Sequence, residues 1–348
     1  MVGETCMNEL SNTKTEYYVN IEGNTTTVNS NCRIHVEDSY YDYCSRLWVF
    51  AIKAYDYDSD YSYHIDYLFL DSSYNLVHSF QEECGVNPNF IVSPDKDLWI
   101  ELDSTLAEKE GSIVIPLFNR QRIEEPKAQR SVGMDYSFVF LDMYYAYSVD
   151  LFDSRKDDNL YLYQFDKNHR FKSKKRIKIN GIRDGNPVVI NNRCHIAHLK
   201  RTDGSQIVCV SEINKKGDIL NIWESKTIND INNVFLTSFD DDYIRVTVST
   251  NHSIDHIIFS KDGCISQRQV LFETDRRINY IMVRDNSVVF VDDEESGPSN
   301  TKNCIMKLET DSYPFVFQNG FHPKYLDKNH FVLTGIRDDK TEFRIVEY

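Results

Sequence analysis

The segment KAYDYDSDYSYH (53–64) sets four tyrosines, Tyr55, Tyr57, Tyr61 and Tyr63, among three aspartates, Asp56, Asp58 and Asp60. Tyrosine offers a large amphipathic contact area at low entropic cost, so this composition is that of a protein or peptide contact element. The carboxylates carry a second reading, because Asp56-x-Asp58-x-Asp60 opens like a calcium loop. The position that needs glycine is Tyr61, however, and the twelfth position, normally Glu, is Tyr67. A helix–loop–helix calcium hand is thereby excluded. A looser, oxygen-only calcium site is the one cation reading left, and no other cofactor is expected.

Other chemistry-bearing residues give weaker patterns. Asn87, Asp135, Asn186, Asn233, Asn279 and His322 recur where apolar runs begin, with Arg183 and Arg277 just before two of them. Polar groups repeated in this way can grip a small ligand, and they are also ordinary strand-start residues. In CHIAHL (194–199), strand alternation puts Cys194 and His198 on one face, about 13 Å apart, and His195 on the other, which defeats a shared metal. His252 and His256 meet the same objection. No nucleophile elbow, HExxH, P-loop or dinucleotide glycine pattern is present. Carboxylates are plentiful, but no spacing singles out the two that a glycosidase needs. In RFKSKKRIKI (170–179) the even positions are Arg170, Lys172, Lys174, Arg176 and Lys178, while Phe171, Ile177 and Ile179 take odd ones. On an outermost strand these five cations face solvent. They read first as an edge guard against aggregation, and second as a dock for an acidic partner or another copy of the chain.

The elements that must position these residues emerge from a repeat. Strand-like runs end at Leu70-Asp71, Phe118-Asn119, Phe165-Asp166, Ile213-Asn214, Phe259-Ser260 and Leu308-Glu309, each followed by a polar turn and another strand. The turn positions differ by 48, 47, 48, 46 and 49 residues. Upstream in each period, an apolar run, a short polar turn and a second apolar run form a hairpin signature. Seven such hairpins occur, from RIHVED-SYYDYC-SRLWVF to KYLD-KN-HFVLTGI, and Trp48 and Trp99 occupy the same place in the first two. Four strands per ~47 residues without helical periodicity is the signature of an all-β fold of the propeller type.

Seven four-stranded blades are expected, approximately 32–82, 88–124, 136–180, 186–228, 232–273, 278–318 and 322–348, with six blades as the alternative. The last copy supplies three strands, so 15–29, by EYYVNI or TTTVN, is expected to complete it and close the ring behind a tail at 1–14. The chain is read as one domain. It lacks the GH and WD dipeptides of WD40 repeats and the paired glycines of kelch repeats. SKDGCI (260–265) resembles a sialidase Asp-box, but its glycine comes one residue early and no Trp or Phe follows in place. Asp-Gly there reads as a hairpin turn.

Composition narrows the function. With 39 basic and 54 acidic side chains the net charge is −15, which repels phosphate backbones and excludes general nucleic-acid binding. No apolar run approaches the ~18 residues of a membrane span, so a soluble protein is expected. The eight cysteines form no CxxC pairs, and residues 1–10 lack an apolar signal core, so the expected location is cytoplasmic, or extracellular had a signal peptide been removed. In a propeller the loops joining second to third strands share a face, and here they are acidic. The function expected is therefore a non-enzymatic interaction module or scaffold within a larger assembly. Its acidic, Tyr-rich face would bind a protein or peptide, with a basic segment favoured by charge. The alternative is a carbohydrate-active enzyme or lectin using carboxylates and aromatics at the channel mouth.

Overall fold

The computed structural model describes residues 15–55, 63–82, 86–92, 98–103, 112–116, 118–119, 122–123, 129–130, 139–142, 144–150, 159–166, 171–179, 187–202, 204–240, 242–262, 266–284, 287–293, 302–307, 315–317, 321–327, 329–337 and 340–347. Its strands assemble into seven antiparallel sheets that repeat along the chain. Blade one comprises Arg33–Asp42, Leu47–Tyr55, Tyr63–Asp71 and Leu76–Glu82. Blade two comprises Val86–Val92, Leu98–Asp103, Ser112–Pro116 and, beyond a small hairpin of Phe118–Asn119 with Arg122–Ile123, the short outer strand Gln129–Arg130. Blade three is Val139–Asp142, Tyr145–Asp150, Asn159–Phe165 and Phe171–Lys178; blade four is Pro187–Ile190, Arg193–Thr202, Ser205–Ile213 and Ile219–Glu224. Blade five is Asn233–Phe239, Tyr243–Ser249, Ser253–Ser260 and Ser266–Glu273; blade six is Arg277–Arg284, Ser287–Asp293, Lys302–Lys307 and Phe315–Phe317.

Blade seven draws on both ends of the chain. Phe321–Leu326, His330–Arg337 and Lys340–Glu347 are joined by Thr25–Ser30 as fourth strand and Tyr17–Glu22 as fifth. The register runs from Thr25 opposite Val346 to Asn29 opposite Glu342, and Asn24 Nδ2 donates to the Glu347 carbonyl at 2.8 Å. Both N-terminal runs are therefore used, not one of them. Successive blades touch through their inner strands, with the second strand of blade four meeting the first of blade five, and the inner strand of blade seven returns to that of blade one. The fold is a seven-bladed β-propeller.

Each blade is sandwiched between two others, which explains why its middle strands are apolar on both faces. In Leu47–Tyr55, Trp48, Phe50, Ile52 and Ala54 pack with Val332, Phe343 and Ile345 of blade seven, while Val49 and Ala51 pack towards Leu98 of blade two. Leu160, Leu162 and Ile177 of blade three meet Cys194, Ile196 and Ile213 of blade four, and Ala197, Leu199 and Val210 of blade four meet Val234, Val246 and Ile257 of blade five. The turns that set the ~47-residue interval join third to fourth strands, and two of them show their chemistry. Asp71 accepts from the Ser73 and Asn75 backbone N–H groups, and Asn214 from those of Lys216 and Asp218. A short side-chain acceptor at the turn's first position stands in for the missing ladder partner.

Six of the seven innermost strands break register. The irregularity falls at Glu37, between Val86 and Asn89, at Leu141, at Thr237, at Asn279 and at Lys324. A bulge adds one residue to one strand and re-aims the side chains around it, so the strands that ring the channel present residues out of the simple alternation.

Candidate functional site

The register of blade one fixes which loops share a face. Arg33 lies opposite Tyr55, Tyr55 opposite Tyr63, and Ile65 opposite Glu82. The start of the inner strand, the loop from second to third strand and the exit to the next blade thus all lie at one end of the molecule.

Tyr55 and Tyr63 are the last described residues either side of the Tyr/Asp loop, with ring centroids 5.7 Å apart. The Arg33 guanidinium lies 5.7 Å from the Tyr55 centroid and the Lys53 ammonium 5.2 Å from that of Tyr63. Cations over aromatic faces are attracted by the ring quadrupole, so each tyrosine at the root is held by a neighbour on its own sheet. The opposite face of the same strand is tied to the fifth, outermost strand of blade seven. The Tyr17 hydroxyl donates to Asp66 at 2.7 Å, His64 Nε2 lies 3.3 Å from Asp66 and 2.9 Å from the Thr15 hydroxyl. Burial, then the charge and hydrogen bond of Asp66, push the Tyr17 phenol well above its usual range, so it stays a donor.

From this root a polar file continues along the inner strand of blade one. Lys53 pairs with Glu37 at 3.0 Å, and His35 approaches Glu37 at 4.0 Å. Asp38 accepts from the Ser39 N–H at 2.7 Å and from the Phe90 N–H of blade two at 2.7 Å. Lys324 of blade seven stands in the field of Glu37 and Asp38; burial lowers its pKa, and the two acids oppose that shift. Three blades therefore contribute to one charged cluster. Glu37 and Lys324 are both at inner-strand bulges, which alternation in the sequence does not reveal.

The other expected site residues are distributed as follows. Asn233 opens its inner strand and donates to the Ser249 hydroxyl at 3.0 Å, tying first strand to second. Arg277 opens the inner strand of blade six, exposed, and Asn279 sits at that strand's bulge. His322 lies in the inner strand of blade seven, opposite Thr334. Lys172, Lys174, Arg176 and Lys178 are exposed on the outermost strand of blade three. Asp56, Tyr57, Asp58, Asp60, Tyr61, Asp135, Arg170, Arg183 and Asn186 lie outside the described residues.

A second polar cluster, at the opposite end between blades seven and one, went unnoticed in the sequence. Asp327, 1% exposed, accepts from the Asn329 and His330 N–H groups and the Tyr43 hydroxyl, and His330 Nδ1 lies 3.2 Å away. Burial pushes the carboxyl up, but donation from His330, Asn329 and Tyr43 outweighs it, leaving a pKa of about 2. Its signal was an aspartate closing the first strand, as at Asp42, whose carboxylate accepts from the Cys44 and Ser45 N–H groups.

Nucleophile and metal chemistry find little support among the described residues. Burial pushes the Cys194 thiol far up and, with the charge of Glu224, the Cys209 thiol to about 12, so both stay protonated and unreactive. No three His, Cys, Asp or Glu side chains converge as a metal site among the described residues. Among the described residues there is no helix long and apolar enough to cross a membrane.

No protein-family model matches the sequence, and no curated protein matches it. Solved structures match the shape alone. A prolyl endopeptidase aligns with a TM-score of 0.54 at 8% identity over 87% of this chain and 45% of its own. Polysaccharide lyase Uly1 aligns at 0.50 and 8% over 90% of each chain, and a puromycin-hydrolyzing peptidase of Mycobacterium tuberculosis at 0.51 and 8% over 90% and 52%. The chain thus spans about half the length of the two peptidases it resembles. The shared feature is the propeller. At such identity a scaffold common to peptidases and a lyase carries no activity across to this chain.

Proposed function

We propose that this propeller is a non-enzymatic interaction module that presents the Tyr/Asp loop, and the acidic face around it, to a protein or peptide segment of basic character. The observation that carries the reading is the bracing of the loop root on both faces. Tyr55 and Tyr63 are gripped by Arg33 and Lys53 on one side, and the Tyr17–Asp66–His64 contacts tie the other side to the outermost strand of blade seven. A loop held at both ends loses less freedom on binding, which raises affinity for a given contact area. The acids of the first inner strand are engaged within the fold: Glu37 is ion-paired with Lys53, and Asp38 and Asp42 each accept two backbone donors.

Tyr57→Ala combined with Tyr61→Ala, used as bait in affinity purification from the native source, should lose the partner that the parent chain retains, while the melting temperature stays within about a degree. Retention of the same partner by the double variant would remove the loop from the interface and this reading with it.

A further inference from the structure

We propose that the outermost strand of blade three, Phe171–Lys178, is a docking edge for an acidic extended segment of a partner protein, added as a fifth strand. It lies on the outer rim, so it does not depend on the loop face above. The strand pairs with Asn159–Phe165, and among the described residues no strand lies beyond it in its sheet. Its outer row of backbone N–H and C=O groups is therefore open to strand addition. Past the bulge at Lys172, Lys174 lies opposite Tyr163, Arg176 opposite Tyr161 and Lys178 opposite Asn159. Directly opposed residues share a face, so these three cations form a row with a repeat of about 7 Å. Carboxylates at alternate positions of an added strand have the same repeat.

Two observations set this edge apart from a simple guard against aggregation. The outer strands of blades one and four, LVHSFQE and ILNIWE, contain no Lys or Arg although Leu76, Val77, Leu220 and Ile222 are exposed on them. The outer strand of blade five carries Arg268 alone, which is engaged with Asp255 at 2.8 Å. Apolar edges thus go unguarded while cations concentrate on one blade of a molecule with net charge −15. The first cation of the row is also held in place. The Lys174 ammonium sits 3.8 Å from the Tyr161 centroid and 5.2 Å from that of Tyr163, and Lys175, on the other face, donates to the Lys216 carbonyl of blade four at 2.5 Å. Side chains ordered before binding lose less entropy on binding.

The occupant follows from charge and backbone. Nucleic acid carries the matching sign, but the open row of backbone N–H and C=O groups on a strand edge pairs with a peptide backbone and not with a sugar-phosphate one. A second copy offers no matching strand among the outer edges of blades one, four and five or the N-terminal strand YYVNIE, none of which carries acids at three alternate positions.

The test is fluorescence anisotropy of a labelled, capped peptide of alternating valine and glutamate titrated with the full chain. Saturable binding is expected, weakened by about tenfold or more in Lys174→Glu with Lys178→Glu, an effect of the size that close interfacial charge pairs produce. The milder pair Lys174→Gln with Lys178→Gln should weaken it less, and circular dichroism should show both variants folded. The same peptide N-methylated at alternate residues should bind poorly. Equal affinity of the N-methylated peptide, or of oligothymidylate of equal charge, would overturn the proposal by making the row a general polyanion site. Absence of peptide binding would also overturn it and leave the lysines as an edge guard. Concentration-dependent self-association of the parent chain, abolished in the variants, would overturn the assignment to a foreign partner.

Discussion

His256 and Asp327 carry the clearest pH signatures in the molecule, and both act in the same direction. His256 is 4% exposed and its Nε2 has no hydrogen-bond partner among the described residues; burial, with the nearby Arg245 charge, lowers its pKa to about 4. The unfolded chain takes up that proton near pH 6.5, so between about 6.5 and 4 the unfolded state binds more protons and stability falls as pH falls. Below about 4 the folded state is protonated too and the loss levels off, at on the order of 3 kcal/mol. Asp327 follows in the next window. Its carboxylate persists to about pH 2 in the fold and only to about 4 in the unfolded chain, so its contribution is complete above 4 and is lost towards 2. Urea midpoints measured across pH should therefore flatten between 4 and 6.5 in His256→Gln, and between 2 and 4 in Asp327→Asn. A parent-like slope in either variant would show that the named group does not titrate as its surroundings require. Neither role was legible in the sequence. A histidine in a strand reads the same whether its ring meets solvent or a neighbouring blade, and Asp327 is set apart only by Tyr43, distant in the chain, coming to rest on it.

At the scale of elements, two turn glycines of blade four separate backbone conformation from packing. Gly204 and Gly217 have φ of +81° and +76°, a region that side chains rarely adopt. A Cβ on Gly204 meets nothing within 4 Å, whereas one on Gly217 would lie 3.1 Å from Ile177 Cδ1, 3.2 Å from Lys175 Cδ and 3.3 Å from Leu162 Cδ2 of blade three. Gly204→Ala should lose only the conformational penalty, about 1 kcal/mol, and Gly217→Ala about 1–3 kcal/mol more for overpacking. Chemical denaturation of the pair checks this, and equal losses would mean that the turn of blade four does not press on the edge strand of blade three. The turns themselves were legible, because Asp71 and Asn214 are turn formers at a constant interval and a turn is decided by its own residues. The inner-strand bulges were not. One added residue at Glu37, Thr237 or Lys324 leaves no trace in composition, and it is the closing of seven inner strands around one channel that selects it.

At the scale of the whole molecule, the ring is closed by an N-terminal strand whose inner side chain is fully buried. Val28 is 0% exposed within the cluster that joins blade seven to blade one, and its strand faces Val346, Ile345, Arg344, Phe343 and Glu342 in turn. This closure was foreseeable because the last repeat supplies three strands, a count made over the whole chain rather than at any one residue. The second N-terminal strand was harder to assign, since Tyr17–Glu22 is mostly exposed and its anchor, Asp66, lies in another blade. A chain reduced to residues 32–348 would leave Lys340–Glu347 as a bare edge and uncover Val332, Phe343 and Ile345. Its melting temperature should fall by several degrees, and it should expose apolar surface to a hydrophobic dye. A synthetic peptide of residues 15–31 added in excess should restore the melting temperature in a saturable way, since a ligand that binds only the folded ring stabilises it by mass action. The same peptide with Val28→Asp should not, because the charge would enter the blade interface without a partner. Full stability of the shortened chain, or equal rescue by both peptides, would mean that three-stranded blade seven meets blade one unaided and that the N-terminal strands are an ornament on a ring already shut.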